Sequence, residues 1–217
     1  PSKGIYKCFG CGVGGNAVTF IMEHENMTYP EALKFLAKKY NIEVKEKEIS
    51  EEEKKKKTER ESLFVLLSFA SKFFIDKLHH HREGKAVGLS YLKERGIRED
   101  MIEKFQLGYA IDEKEALTKE ALKKGYKEEF LVKTGLTIKR DNWRADRFKG
   151  RVIFPIHTIS GKVTGFTGRT LSSDKKTAKY INSPESDVYH KSNELYGIYF
   201  AKKEITRKGF CYIVEGN

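Results

Sequence analysis

Residues 43–60 contain only two aliphatic side chains, Val44 and Ile49. A stretch this polar cannot pass through a hydrophobic core, so it divides the chain into two parts that must fold separately. Residues 45–61 hold seven Lys/Arg and seven Asp/Glu, a net charge of zero. Two-sign charge at this density suits either a linker or a solvated helical extension.

On the N-terminal side, Ile5 to Phe9 predicts a short strand. Asn16 is placed to cap a helix over 17–25, with Val18, Ile21 and Met22 on one side. Thr28-Tyr29-Pro30-Glu31 matches a capping box with proline in the first turn. It predicts a second helix to about Tyr40, with Leu33, Leu36 and Ala37 facing inward.

Beyond the break, Leu63, Leu66, Leu67, Ala70, Phe74 and Leu78 recur at helical spacing from Ser62 onward. Short helices are expected around 85–95 and 99–105, a strand over 105–111, and two helices within 113–135 ended by Gly125 and Gly135. Strands then follow at 151–157, 163–169, 180–181 and 211–214, with Ser160-Gly161 turning a hairpin between the first two. Cys211 alternates with Ile213 and reads as core. His79-His80-His81 reads as a solvated helix terminus, because three consecutive helical residues point in different directions.

Composition removes several classes. With 39% hydrophobic and 12% aromatic residues the chain is too apolar to be disordered. Its longest apolar run, Leu63 to Leu78, is cut by Lys72, Asp76 and Lys77, so no membrane partner is expected. Three cysteines make no disulfide framework and no targeting segment is visible, which points to a reducing, cytoplasmic setting. The chain starts at Pro1 and stops just after an apparent strand, so a fragment lacking both flanks is expected. The net charge is +11, and residues 139–191 supply +7 of it, with twelve Lys/Arg against five Asp/Glu. That stretch also carries Trp143, Phe148, Phe154, Phe166 and Tyr180. Interleaved cations and rings suit single-stranded nucleic acid, the charges meeting phosphates and the rings stacking on bases. A generic solvated basic face is the alternative.

Cys8-Phe9-Gly10-Cys11 places two thiols on a glycine-rich turn after a strand. Such a pair can supply half of a tetrahedral zinc site. A redox pair would need a βαβ setting. The overlapping Gly10-Cys11-Gly12-Val13-Gly14-Gly15 would bind a dinucleotide only if a second parallel strand followed, where a helix is expected instead. Unliganded thiols are the fourth reading. Zinc would need further ligands upstream of Pro1.

Taken in order, these segments resemble the bacterial replicative (DnaG-type) primases. Lys7 to Ala17 looks like the second half of that family's zinc ribbon, and Tyr29-Pro30-Glu31-Ala32-Leu33 continues it. Tyr91 to Ile97 and Phe105 to Ala110 resemble the start of the RNA polymerase core. Asp146 to Ile156, Gly165 to Arg169, Lys179 to Glu185, His190-Lys191 and Leu195-Tyr196-Gly197 are similar to its later signatures, and Val214-Glu215-Gly216 to the opening of the Toprim fold. Departures from the pattern are Ala178 before the lysine, Ser186, and Asn217 after Glu215-Gly216.

The resemblance implies an α+β fold: a partial zinc ribbon with helices over 1–42, a charged linker over 43–60, a mixed helical and antiparallel-strand core subdomain over 61–208, and the first Toprim residues over 209–217. It implies template-directed synthesis of short RNA on single-stranded DNA from ribonucleoside triphosphates. It also implies structural zinc on Cys8 and Cys11, Mg²⁺ or Mn²⁺ near the catalytic Glu215, and a replicative helicase as partner. The aspartates completing the metal site would lie beyond Asn217. Arg95, Arg147, Arg151, Arg169, Lys179, Tyr180, Asn182 and Lys191 are expected to line a cleft for template and nucleotides. A non-catalytic zinc-ribbon binding module and a phage primase-helicase are the alternatives.

Overall fold

The computed structural model describes residues 4–10, 12–25, 27–43, 51–172, 174 and 176–215. Cys11, residues 44–50 of the expected linker, and Gly216-Asn217 lie outside the described residues. The chain divides into two compact units, 1–53 and 54–217.

The first unit opens with an antiparallel hairpin of β1 (Ile5–Lys7) and β2 (Gly14–Asn16). β1 ends two residues earlier than expected because the backbone turns at Cys8: the Cys8 N–H donates to the Val13 carbonyl at 2.7 Å and the Gly12 N–H to the Cys8 carbonyl at 2.8 Å. Helix α1 (Ala17–Glu25) starts where Asn16 caps it, its side-chain oxygen accepting from the Thr19 N–H at 2.9 Å. Helix α2 (Tyr29–Lys39) begins at the Thr28 capping box, in which the Thr28 N–H donates to Glu31 at 2.8 Å. Of the three α2 residues expected to face in, Leu33 is exposed; Ala32 is the buried residue of that helix. The hairpin and paired helices rule out the βαβ setting that a redox pair or a dinucleotide loop would need.

In the second unit, α3 (Glu51–His80) begins well before Ser62, so 51–60 is a solvated helical extension. An ion pair between Lys133 and Glu59 ties this polar portion down. A π-helical turn (Gly84–Leu89) runs into α4 (Ser90–Glu94), followed by α5 (Glu99–Lys104), β3 (Gly108–Ala110), α6 (Ala116–Lys123) and α7 (Glu128–Lys133). β3 is shorter than expected because Phe105 closes α5 and Gln106 takes a left-handed φ of 55°. Next come the hairpin β4 (Thr137–Arg140) and β5 (Trp143–Asp146), then β6 (Arg151–His157), β7 (Val163–Thr170), β8 (Tyr180–Asn182) and α8 (Ile198–Lys208). The β4–β5 hairpin and α8 were not anticipated.

The main sheet is antiparallel in the order β3-β6-β7-β8, with core on both faces. Ile153 and Phe166 join Leu66, Phe74 and Leu117 in one cluster, whereas the neighbouring Val152 joins Leu78, Leu92 and Tyr109 in another. Strand alternation alone separates adjacent residues in this way. Gly108 lets α3 cross β3 closely: a Cβ there would lie 2.6 Å from the Phe74 Cβ. Contrary to expectation, 210–215 forms no strand and Cys211 is exposed. Alternation becomes a strand only where another element covers one face, and Ile213 remains 76% exposed.

Asp146 fixes the start of α6 from the end of β5. Its buried carboxylate accepts from the Leu117 N–H at 2.7 Å, the Thr118 N–H at 3.1 Å and the Thr118 hydroxyl. Asp146→Ala would strand both N–H groups and should cost about 2–4 kcal/mol of unfolding free energy. Urea denaturation checks this, and a loss near zero would mean water replaces the carboxylate.

Candidate nucleic-acid interface

Register places four polar or aromatic side chains on one face at the β7–β8 edge. Arg169 is directly opposite Tyr180, and Thr167 is opposite Asn182. Residues two apart on a strand share a face, so all four point to the same side. The Thr167 hydroxyl donates to the Asn182 side-chain oxygen at 2.7 Å, which leaves the amide nitrogen as a donor. The Arg169 guanidinium lies 4.8 Å from the ring centre of Tyr91 and 5.5 Å from that of Tyr180, and donates to the Tyr180 hydroxyl at 3.1 Å. Sandwiched in this way, the cation is held in one orientation. Its Nε is buried and, among the described residues, has no hydrogen-bond partner.

Tyr91, on α4, was not foreseen as a site residue. It lies in a motif visible in the sequence, but its contact with Arg169 joins elements far apart in the chain, and no local pattern encodes that.

Lys179 is exposed, and its carbonyl accepts from the Thr170 N–H at 3.0 Å, carrying the β7–β8 pairing one step further. Tyr91, Arg169 and Lys179 line one open groove. Arg151 lies in its foundations: only 7% exposed, it donates to the carbonyls of Ala178 at 3.0 Å and Gly168 at 3.3 Å. Arg147 is half-buried and donates to the Gly135 carbonyl at 2.7 Å. Burial pushes both guanidinium groups below their ordinary value, yet an arginine stays charged at any physiological pH. Lys191 is exposed; its N–H donates to Glu185 at 3.0 Å, and His190 lies 2.9 Å from the other Glu185 oxygen. The Lys191 N–H and then His190 hold the Glu185 carboxyl below its usual range.

The fold therefore gathers Arg169, Lys179, Tyr180 and Asn182 at one edge, with Arg151 beneath. Arg95 stands exposed at the end of α4, and Glu215 is exposed beyond α8. Among the described residues no three His, Cys, Asp or Glu side chains converge as a metal site. Glu215 offers a single carboxylate, so the described residues do not by themselves fit a divalent cation. Cys8 does fit one corner of a zinc knuckle: it sits in a tight hairpin turn, with Gly12 at a φ of 76°. Among the described residues no helix is long and apolar enough to cross a membrane.

Comparison with known proteins supplies the family. Residues 73–202 match the family model of the DNA primase catalytic core, N-terminal domain, and residues 1–52 match the CHC2 zinc finger. The finger match favours zinc over the other readings of the cysteine pair. The DNA primase of Halalkalibacterium halodurans is 42% identical over the whole chain, which covers 36% of that protein, and that of Pseudomonas putida is 38% identical, with 33% covered. The chain thus spans about a third of the length of these curated relatives. A crystal structure of the zinc-binding and RNA polymerase domains of Aquifex aeolicus primase covers 100% of the chain at 38% identity and a TM-score of 0.65, the chain covering 50% of it. A DnaG primase catalytic domain bound to ssDNA covers 68% of the chain at 31% identity and a TM-score of 0.62, with 45% of that domain covered. With both of its segments matched in family order, the chain belongs to the DnaG-type DNA primases.

Proposed function

We propose that the protein to which this chain belongs synthesises short RNA primers on single-stranded DNA. The observation that carries this reading is the β7–β8 edge, where Arg169, Tyr180 and Asn182 share one face and Arg169 and Lys179 line one groove within a primase-family core. Fixed cations meet phosphates and a fixed ring can stack on a base. Lys191, Arg95 and Arg147 would extend the same surface, and Arg151 would act from below by holding the 178–179 backbone in place. Cys8 and Cys11 would hold structural zinc. Glu215 would supply one carboxylate toward Mg²⁺ or Mn²⁺, which stabilise the attacking and leaving oxygens of phosphoryl transfer when bound. Ribonucleoside triphosphates would be the substrates and a replicative helicase the partner. Residues 61–208 would form the N-terminal core subdomain and 209–217 the start of the Toprim fold. The family match disfavours a purely non-catalytic binding module.

The full-length protein should incorporate ribonucleotides on a single-stranded template with Mg²⁺ or Mn²⁺; failure on every template would refute the reading. Lys179→Ala should weaken single-strand binding and lower the slope of log K against log salt by about 0.7. An unchanged slope would place Lys179 outside the phosphate path.

A further inference from the structure

We propose that Gly88 and Tyr109 are positioning residues for Arg169: together they set how closely the α4 segment lies on the sheet, and so hold Tyr91 against the guanidinium. This deepens the function proposed above and rests on it, because Arg169 serves there as a phosphate-facing cation.

Tyr109 on β3 is opposite Val152 on β6, Val152 is opposite Arg169 on β7, and Arg169 is opposite Tyr180 on β8. Directly opposed residues share a face, so the four side chains form one row across all four strands. Tyr180 meets Arg169 within this row, and strand pairing fixes its place. Tyr91 comes from outside the sheet. It sits on α4, whose five residues are too few for a helix to hold itself. Its position therefore depends on what anchors the segment to the row. Leu92, fully buried, packs in one cluster with Tyr109 and Val152. Gly88, in the preceding π-helical turn, lies three positions before Tyr91 and four before Leu92, and it packs directly on the Tyr109 ring. A Cβ at 88 would lie 2.7 Å from Tyr109 Cδ2 and 3.0 Å from Leu78 Cδ1, so any side chain there must lift the turn or displace the ring. The ring is itself held. It is 3% exposed, and its hydroxyl donates at 2.9 Å to Glu83, which also accepts from the Asp112 N–H at 3.0 Å. The segment thus touches the row at Tyr109 and again at Arg169, with Leu92 seated in the same cluster. Of these residues Tyr91 and Arg169 line the groove, so an effect of Gly88 or Tyr109 on binding has to pass through them.

Two double-mutant cycles on the full-length protein test this, read by the anisotropy of a labelled thymidine oligonucleotide of about 16 nucleotides, with thermal denaturation alongside. Tyr91→Ala should weaken binding roughly 2- to 30-fold, the range of a partly desolvated cation–ring contact. Gly88→Ala should approach the same factor. Tyr109→Phe keeps the ring and loses the tie to Glu83, and should weaken binding about 3- to 10-fold, a fraction of what a hydrogen bond to a carboxylate contributes. In the Tyr91→Ala background both substitutions should change affinity less than about twofold, because the contact they set is already gone. A purely structural role would lower Tm and leave affinity below it unchanged, or weaken binding by the same factor in both backgrounds; either result overturns the proposal. Tyr109→Phe decides it where Gly88→Ala fails to fold. Arg169→Ala separates the positioning from the reading beneath it. Unchanged affinity in that variant would overturn the groove itself, whereas weakened affinity beside silent Gly88→Ala and Tyr109→Phe would overturn the positioning alone.

Discussion

Withdrawing zinc from the full-length protein, by chelator or by Cys8→Ser, should unfold the N-terminal unit and leave the unit from residue 54 onward folded. Apolar burial cannot hold the first unit together. Among its described residues only Ala32 is fully buried, while Ile5, Phe9, Phe20, Phe35 and Ile42 are exposed. Ordering each backbone residue costs about 1–2 kcal/mol, and a unit of this size without a core needs a covalent or metal staple. The ring contacts present, Tyr6 edge-on to Phe20 at 5.3 Å and Phe20 stacked on His24 at 5.5 Å, add only about 0.5–1.5 kcal/mol each. Structural zinc contributes roughly 10–16 kcal/mol in finger peptides, enough to decide the outcome. The expected result is zinc content falling to none, with loss of the helical signal of α1 and α2 and an unchanged transition for the second unit. Undiminished zinc after Cys8→Ser would refute the ligand role, and a folded zinc-free unit would refute the staple.

Local codes were the readable part of this chain. Asn16 capping α1, the Thr28–Glu31 box opening α2, and the Ser160-Gly161 turn between β6 and β7 each depend on residues within a few positions of one another. The apolar run of β6, Val152 to Ile156, was equally plain, because a strand buried on both faces reads as a continuous apolar run. The elements missed depend on distant partners. β4–β5 has a mostly polar sequence and is held by charges from α6 and α7. α8 has no fully buried residue, and its Tyr199 and Phe200 gain their meaning from His157 and Phe105 across the sheet. The site divides along the same line. Arg169, Tyr180 and Asn182 were grouped through the family resemblance, and the strand pairing sets them on one face. Residue type could not show that Arg151 spends its guanidinium on backbone carbonyls, or that Tyr91 completes the cage around Arg169.

Phe166→Ala should be the most damaging single truncation in the second unit, and it separates scaffold from chemistry. Phe166 is fully buried, edge-on to Phe74 at 5.3 Å and to Phe148 at 6.0 Å, so it joins α3 to both the sheet and the segment after β5. Removing a ring from such a site costs about 3–5 kcal/mol through lost burial and the cavity left behind. For a unit of this size that corresponds to a fall in Tm of roughly 6–20 °C. Its neighbour Thr167 and the nearby Arg169 point to the opposite face of the same strand. Below the lowered transition, therefore, affinity for single-stranded DNA should stay within about twofold of the parent, because the paired backbone of β7 and β8 still sets the groove. Arg169→Ala should do the reverse, weakening binding with little change in Tm. Thermal denaturation run beside an anisotropy titration reads both quantities. If Phe166→Ala abolished binding while the fold persisted, the two faces of β7 would be mechanically coupled, and the groove's geometry would depend on the core beneath it rather than on strand pairing.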